Sequence, residues 1–202
     1  MCPDYSSPPK AVGEILRNIH STIEGDESNA NADVRVKDTI LLAEGDYNTA
    51  WLITYAATEQ TPGQNAAVSK AWRFILREPQ EGALLPWQIE SEIGFLTFIT
   101  KNHPSIPIPT VYAYDTGESG ATPFIAVENI DDKPLSQVWS TYTEEETNAV
   151  ACDIAKLIVE MAEINFDSIG GLTLAHKFGP IVEGVKLFKG RDKSHLPIQK
   201  KP

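Results

Sequence analysis

Trp72-Arg73-Phe74-Ile75-Leu76-Arg77-Glu78-Pro79 is the stretch on which the fold turns. Trp72, Phe74 and Leu76 alternate with Arg73, Ile75 and Arg77, the period of two that sends successive side chains to opposite faces of a β-strand. Upstream, Trp51, Ile53 and Tyr55 alternate with Leu52, Thr54 and Ala56, and Ile40-Leu41-Leu42 forms a short apolar run before them. These segments are joined by Glu44-Gly45-Asp46-Tyr47-Asn48-Thr49 and by a loop from Glu59 to Ser69. Connections this short suit antiparallel neighbours, because a parallel crossover needs a helix.

Downstream the period changes. Ile89, Ile93, Leu96 and Ile99, with Phe95 and Phe98 close by, mark a helix over Trp87 to Lys101. The prolines of His103-Pro104-Ser105-Ile106-Pro107-Ile108-Pro109 cannot continue it. They lead into a strand, Thr110 to Tyr114, then a Gly-rich turn, Asp115 to Gly120, then the continuous apolar run Pro123-Phe124-Ile125-Ala126-Val127-Glu128 that suits a central strand. The β-β-β-α-β-β order predicts an α+β architecture: a five-stranded antiparallel sheet with one helix on it.

The flanks read differently. Residues 1–10 are rich in Pro and Ser. Val12, Ile15, Leu16, Ile19 and Ile23 predict a helix over 11–24, and 25–33 reads as a polar linker. Thr143 followed by Glu146 is a capping box that opens a helix from Glu144 to Asn165, with Val150, Ile154, Leu157, Ile158, Met161 and Ile164 as its apolar stripe. The predicted division is 1–37 (helix and linker), 38–130 (sheet lobe), 131–185 (partial helical lobe) and 186–202 (basic tail). That tail holds Lys186, Lys189, Arg191, Lys193, Lys200 and Lys201 against Asp192 alone and reads as solvated.

Composition narrows the function classes. The 202 residues carry a formal charge of −11, which argues against general binding to nucleic acid or anionic membranes. Cys2 and Cys152 form neither a disulfide framework nor a metal spacing. The first residues lack the charged start and apolar run of a signal peptide, and no apolar run approaches the ~18 residues of a membrane span. Cytoplasm is the expected location. His20, His103, His176 and His195 show no metal spacing and read as surface or loop residues.

Four features could carry chemistry. Gly45, between two strands, lets the backbone approach a ligand and take a positive φ; an ordinary turn is the alternative. Arg77 ends its strand where a cation would reach phosphates under that turn; the alternative is an exposed strand-end charge. Glu92, beside the buried stripe of the following helix, could hold Arg77 by directional pairing, with Glu90 as competitor. Glu128-Asn129-Ile130 leaves a strand with backbone groups able to read an adenine edge; the alternative is a plain strand exit. No Gly-x-x-x-x-Gly-Lys-Ser/Thr occurs, so this is no P-loop.

In this order the chain resembles the fungal branch of the aminoglycoside phosphotransferase (choline-kinase-like) enzymes, which have a protein-kinase-like fold. The resemblance rests on Glu44 to Trp51, Trp72 to Pro79, Glu92-Ile93, Ile106-Pro107-Ile108-Pro109-Thr110-Val111-Tyr112 and Pro123 to Glu128. It continues in Phe166-Asp167-Ser168-Ile169-Gly170-Gly171-Leu172 and Gly179-Pro180-Ile181-Val182. It implies that Gly45, Asp46 and Asn48 belong to a nucleotide-covering loop, that Arg77 is the phosphate-binding cation with Glu92 as its partner, and that Glu128 and Ile130 lie in the hinge. It implies ATP and magnesium as cofactors and a small-molecule hydroxyl as acceptor.

The family's His-x-Asp-x-x-x-x-Asn loop and later metal-binding Asp do not occur in these residues. Arg191-Asp192-Lys193 imitates the loop, but Gly190 precedes it and Pro197 stands where Asn is needed. The expectation is a phosphotransferase relative that is catalytically incomplete and truncated before its catalytic loop, with no catalytic residue and no metal ligands. The alternatives are a non-catalytic nucleotide-binding or interaction module and a fragment without function. The stripe on the helix over 144–165 is expected to be exposed and to seek a partner or another copy.

Overall fold

A computed structural model describes residues 16, 19, 20, 22, 23, 33–59, 68–80, 84, 86–118, 120, 122–168 and 170–179. The expectations for residues 1–10, for the tip of the loop between Glu59 and Ser69, for Arg191-Asp192-Lys193 and for the basic tail lie outside these residues, as do Cys2 and His195.

Five strands form one antiparallel sheet: β1 (Asp33–Glu44), β2 (Asn48–Glu59), β3 (Val68–Pro79), β4 (Val111–Asp115) and β5 (Phe124–Glu128), in the spatial order β1-β2-β3-β5-β4. Helix α1 (Pro86–Asn102) joins β3 to β4. A short helix, α2 (Leu135–Val138), runs into a 3₁₀ turn at Trp139–Thr141, and α3 (Glu144–Ala162) follows. The α+β class and the five-stranded antiparallel sheet expected from the sequence are both present. β5 takes the inner place because Phe124, Ile125, Ala126 and Val127 are apolar on both faces and all buried.

The alternation along β2 and β3 sorts the core onto two faces. Trp51, Ile53, Tyr55, Phe74, Leu76, Phe124 and Ala126 form one cluster with Leu16 and Ile19. Ile125 and Val127 face the other way, onto Ile89 and Ile93 of α1, with Ile75, Leu84 and Val111 around them. The sheet therefore has a helical layer on each face.

Leu16 and Ile19 are 3% and 0% exposed in the sheet's own core, and β1 begins at Asp33. Two expectations need correction. His20 is neither a surface nor a loop residue. It is fully buried, edge-on to Tyr55 and Trp72, with Nδ1 3.3 Å from the Tyr55 hydroxyl. α3 ends at Ala162, short of Asn165. There the Asn165 side-chain amide donates to the Glu163 carbonyl at 2.8 Å, a local bond that competes with helix continuation.

Beyond α3, residues 170–179 fold back as a strap on α1. Leu172 and Phe178 bridge, Gly179 N donates to Gly171 O at 2.7 Å, and the tip turns at His176, whose φ of 55° is left-handed. The strap is fastened by the Leu172 amide donating to Ser91 Oγ at 3.1 Å and the Leu174 amide donating to Glu90 Oε1 at 3.2 Å. His176 Nε2 lies 3.1 Å from Thr97 Oγ1, and Phe98 packs against Phe166 and His176. Gly94 makes this approach feasible, because a β-carbon there would meet the Leu172 and Thr173 carbonyl oxygens.

Candidate functional site

The register of β2 against β3 sets the site. Asn48 lies opposite Pro79 and Ala50 opposite Arg77, so the Arg77 guanidinium emerges about 7 Å along the strand from the β1–β2 loop, on the α1 side of the sheet. There it meets Glu92: Nη1 donates to Oε1, and both side chains are 31% exposed. Glu90, two residues earlier and so on another side of the helix, accepts instead from the Leu174 amide. A half-buried guanidinium held by one carboxylate keeps further N–H donors for an anion.

The β1–β2 loop is braced rather than free. Gly45 N donates to Asn48 O at 2.9 Å, Gln80 N donates to Tyr47 O at 2.8 Å, and the Gln80 side chain donates to Gly45 O at 2.7 Å. Gly45 does not use the positive φ that a glycine allows; the positive-φ glycines among the described residues are Gly117, Gly120 and Gly170. This turn closes through its own Gly45–Asn48 bond without one. A β-carbon at 45 would find only Asn48 O, at 3.6 Å. Asp46 is exposed at the tip and Asn48 half-buried.

Glu128 lies opposite Phe74, about 10 Å along the sheet from Arg77. Its carboxylate is engaged within the fold, accepting from the Thr110 amide at 3.1 Å and the Thr110 hydroxyl at 3.0 Å, and its own amide donates to Thr110 O at 2.8 Å. Burial, and then this carboxylate, push the nearby Tyr112 phenol up from its ordinary value. Ile130 is 57% exposed, and the chain just beyond it is tied back to β3 by an Arg73–Asp131 ion pair at 2.7 Å. Of the expected site residues, the structure joins Arg77 to Glu92 two residues along the sheet from Asn48, at the end of the loop of Gly45 and Asp46, and leaves Glu128 and Ile130 further along the same sheet.

Two features escaped the sequence reading. Ile40, Leu52, Ile75 and Val127 form one row across four strands on the α1 side. Val127 is buried under α1, whereas Ile40 is 46% exposed, so the row becomes an open apolar shelf beside Arg77. The signal was available in Ile40, an apolar residue facing away from the main core. The second is a cleft of about 610 Å³ between the loop tip (Tyr47, Asn48), one face of α1 (Gln88, Ser91, Glu92, Phe95) and Phe166 and Phe178. Its α1 residues stand at i, i+3, i+4 and i+7, a spacing that marks one helix face.

No group of three or more His, Cys, Asp or Glu side chains converges among the described residues. No described helix is long and apolar enough to cross a membrane. In comparisons with known proteins, no family model, no curated protein and no solved structure matches this chain.

Proposed function

We propose that the sheet and α1 form the small lobe of a protein-kinase-like fold of the aminoglycoside phosphotransferase type, and that this lobe holds a nucleotide. The observation that carries the reading is the half-exposed Arg77–Glu92 pair, two residues along the sheet from a braced strand-to-strand loop. A nucleotide's phosphates fit the guanidinium, and its base fits the shelf of Ile40 and Leu52, with the chain after Glu128 at the far edge. ATP is the cofactor this reading names. The acceptor hydroxyl stays unassigned, because fold type does not select a substrate.

Phosphoryl transfer relies on positioning and on compensation of charge at the transferring group. These residues supply one cation, Arg77, and neither the base nor the metal-binding carboxylates of such a reaction. The chain is therefore expected to bind ATP and not to transfer its phosphate unaided. A second reading, as a protein-interaction module, is favoured by the bare apolar face of α3.

The test is a thermal-shift titration with ATP, with and without magnesium, on the parent and on Arg77→Met. A saturable rise in Tm in the parent that Arg77→Met abolishes is the expected result. The variant itself should lose no more than about 1 kcal/mol, as for other solvent-accessible ion pairs. No shift in either condition, or an equal shift in the variant, overturns the reading.

A further inference from the structure

α3 displays its apolar residues where nothing in the described structure covers them. Ile154, Ile158 and Met161 are 41%, 61% and 52% exposed, and no residue of the helix is buried. They stand at i, i+4 and i+7, and Ala151, Ala155 and Ala162, also exposed, lie on the same face. Large side chains alternating with alanines make the knobs and holes that accept another helix. The adjoining edge is turned toward the body: Val150 and Leu157 are half-buried there, and Glu160 accepts from the Ser105 hydroxyl.

Charge selects the occupant. The helix carries Glu144, Glu145, Glu146, Asp153 and Glu160, with Glu163 at its cap. Its lone cation, Lys156, is paired with Asp153 at 2.8 Å. A second copy laid parallel on this face brings Glu144–Glu146 against their equivalents. Laid antiparallel, it brings them against the acidic C-terminal end at Glu163. Both arrangements bring like charges together at the helix ends, which opposes association.

We infer that α3 is the docking surface for an amphipathic helix of another protein, one whose apolar stripe is flanked by Lys and Arg. Antiparallel docking suits it best, because cations favour a helix C-terminus and would there lie beside Glu144–Glu146. The inference is independent of the nucleotide reading.

The probe is a fluorescent helical peptide with Leu at the a and d heptad positions and Lys at e and g, titrated with the full chain by anisotropy. A Glu-flanked peptide with the same stripe and a Lys-rich peptide with a scrambled stripe are its comparisons. The Lys-flanked peptide should bind at least about tenfold tighter than either, and added salt should narrow its lead over the Glu-flanked one. Ile154→Ser/Ile158→Ser should weaken it by about tenfold or more with Tm unchanged, since both side chains are exposed.

Equal binding of the peptides, or binding by none, overturns the inference. So does a dimer in sedimentation that Ile154→Ser/Ile158→Ser splits, because the occupant is then a second copy. Peptide binding that emerges only after Lys186, Lys189, Arg191, Lys193, Lys200 and Lys201 are replaced by Gln also overturns it, because the chain's own basic segment then competes for the surface.

Discussion

A β-carbon at position 94 would lie 2.6 Å from the Thr173 carbonyl oxygen and 2.7 Å from that of Leu172. Helix propensity alone favours Ala over Gly by about 1 kcal/mol. Here the neighbours are backbone atoms of a strap fastened by hydrogen bonds, so they cannot turn aside as a side chain would. Overpacking costs about 1–3 kcal/mol, so Gly94→Ala is expected to destabilise by about 1–2 kcal/mol in urea unfolding. Gly45→Ala is the comparison, with an expected change within about 0.5 kcal/mol. Equal effects at the two positions would contradict this account. Glu78 gives a second prediction. Burial pushes its carboxyl above the ordinary 4.5, and a hydrogen bond with Trp51 draws it partway back. The folded state thus holds the proton more tightly than the unfolded state, so stability falls as pH rises from 4.5 through the raised value. Glu78→Gln should raise Tm most at about pH 8 and least at about pH 4. A gain independent of pH would refute the assignment. The sequence offers Arg77 and Glu92 in this order, but leaves an exposed strand-end charge and Glu90 as open alternatives. It could not show why position 94 is glycine, because the deciding contacts come from Leu172 and Thr173, far along the chain.

At the level of elements, α3 stands on its cap more than on its packing. The Thr143 hydroxyl accepts from Glu146 N at 3.3 Å, and the Glu146 carboxylate accepts from Thr143 N at 2.8 Å. The backbone bond first, and then the side-chain bond, hold the Glu146 carboxyl below its ordinary value. A lowered folded value means that this contribution is present above the unfolded value of 4.5 and is lost as pH falls through the folded one. Thr143→Ala should cost the helix about 1 kcal/mol, seen as faster amide exchange over residues 147–150 rather than as global unfolding. That difference from the parent should narrow in acid only by the share of the Thr143 hydroxyl–Glu146 carboxylate bond, because the hydroxyl also accepts from the Glu146 amide, which does not titrate. A difference that vanishes entirely in acid would mean that the hydroxyl–amide bond is not part of it. The box was readable because its geometry is local. The start of β1 was not read, although Val34 and Val36 alternate with Arg35 and Lys37, because the period there is set in polar residues that resemble a linker.

For the molecule as a whole, the core depends on the helical residues before β1. Ile19 is fully buried among Tyr55, Phe74 and Leu76, so Ile19→Ala should cost about 2–5 kcal/mol. Removing residues 1–24 should expose that face of the sheet and abolish cooperative unfolding followed by circular dichroism. A cooperative transition at the parent's Tm after the deletion would show the layer to be dispensable. Periodicity predicts this helix, but it cannot say which surface the helix covers, and that choice makes it part of the sheet lobe.

The strap has a mechanical consequence. Residues 132–165 leave the sheet at Asp131, leashed to Arg73, and return through Leu172–His176 onto the same helix that bears Glu92. The intervening stretch is sewn to the lobe at both ends, like the handle of a cup. A load applied to that handle is shared among its end stitches and the Ser105–Glu160 bond between them, and one stitch sits on α1, two turns or less from the carboxylate that steadies Arg77.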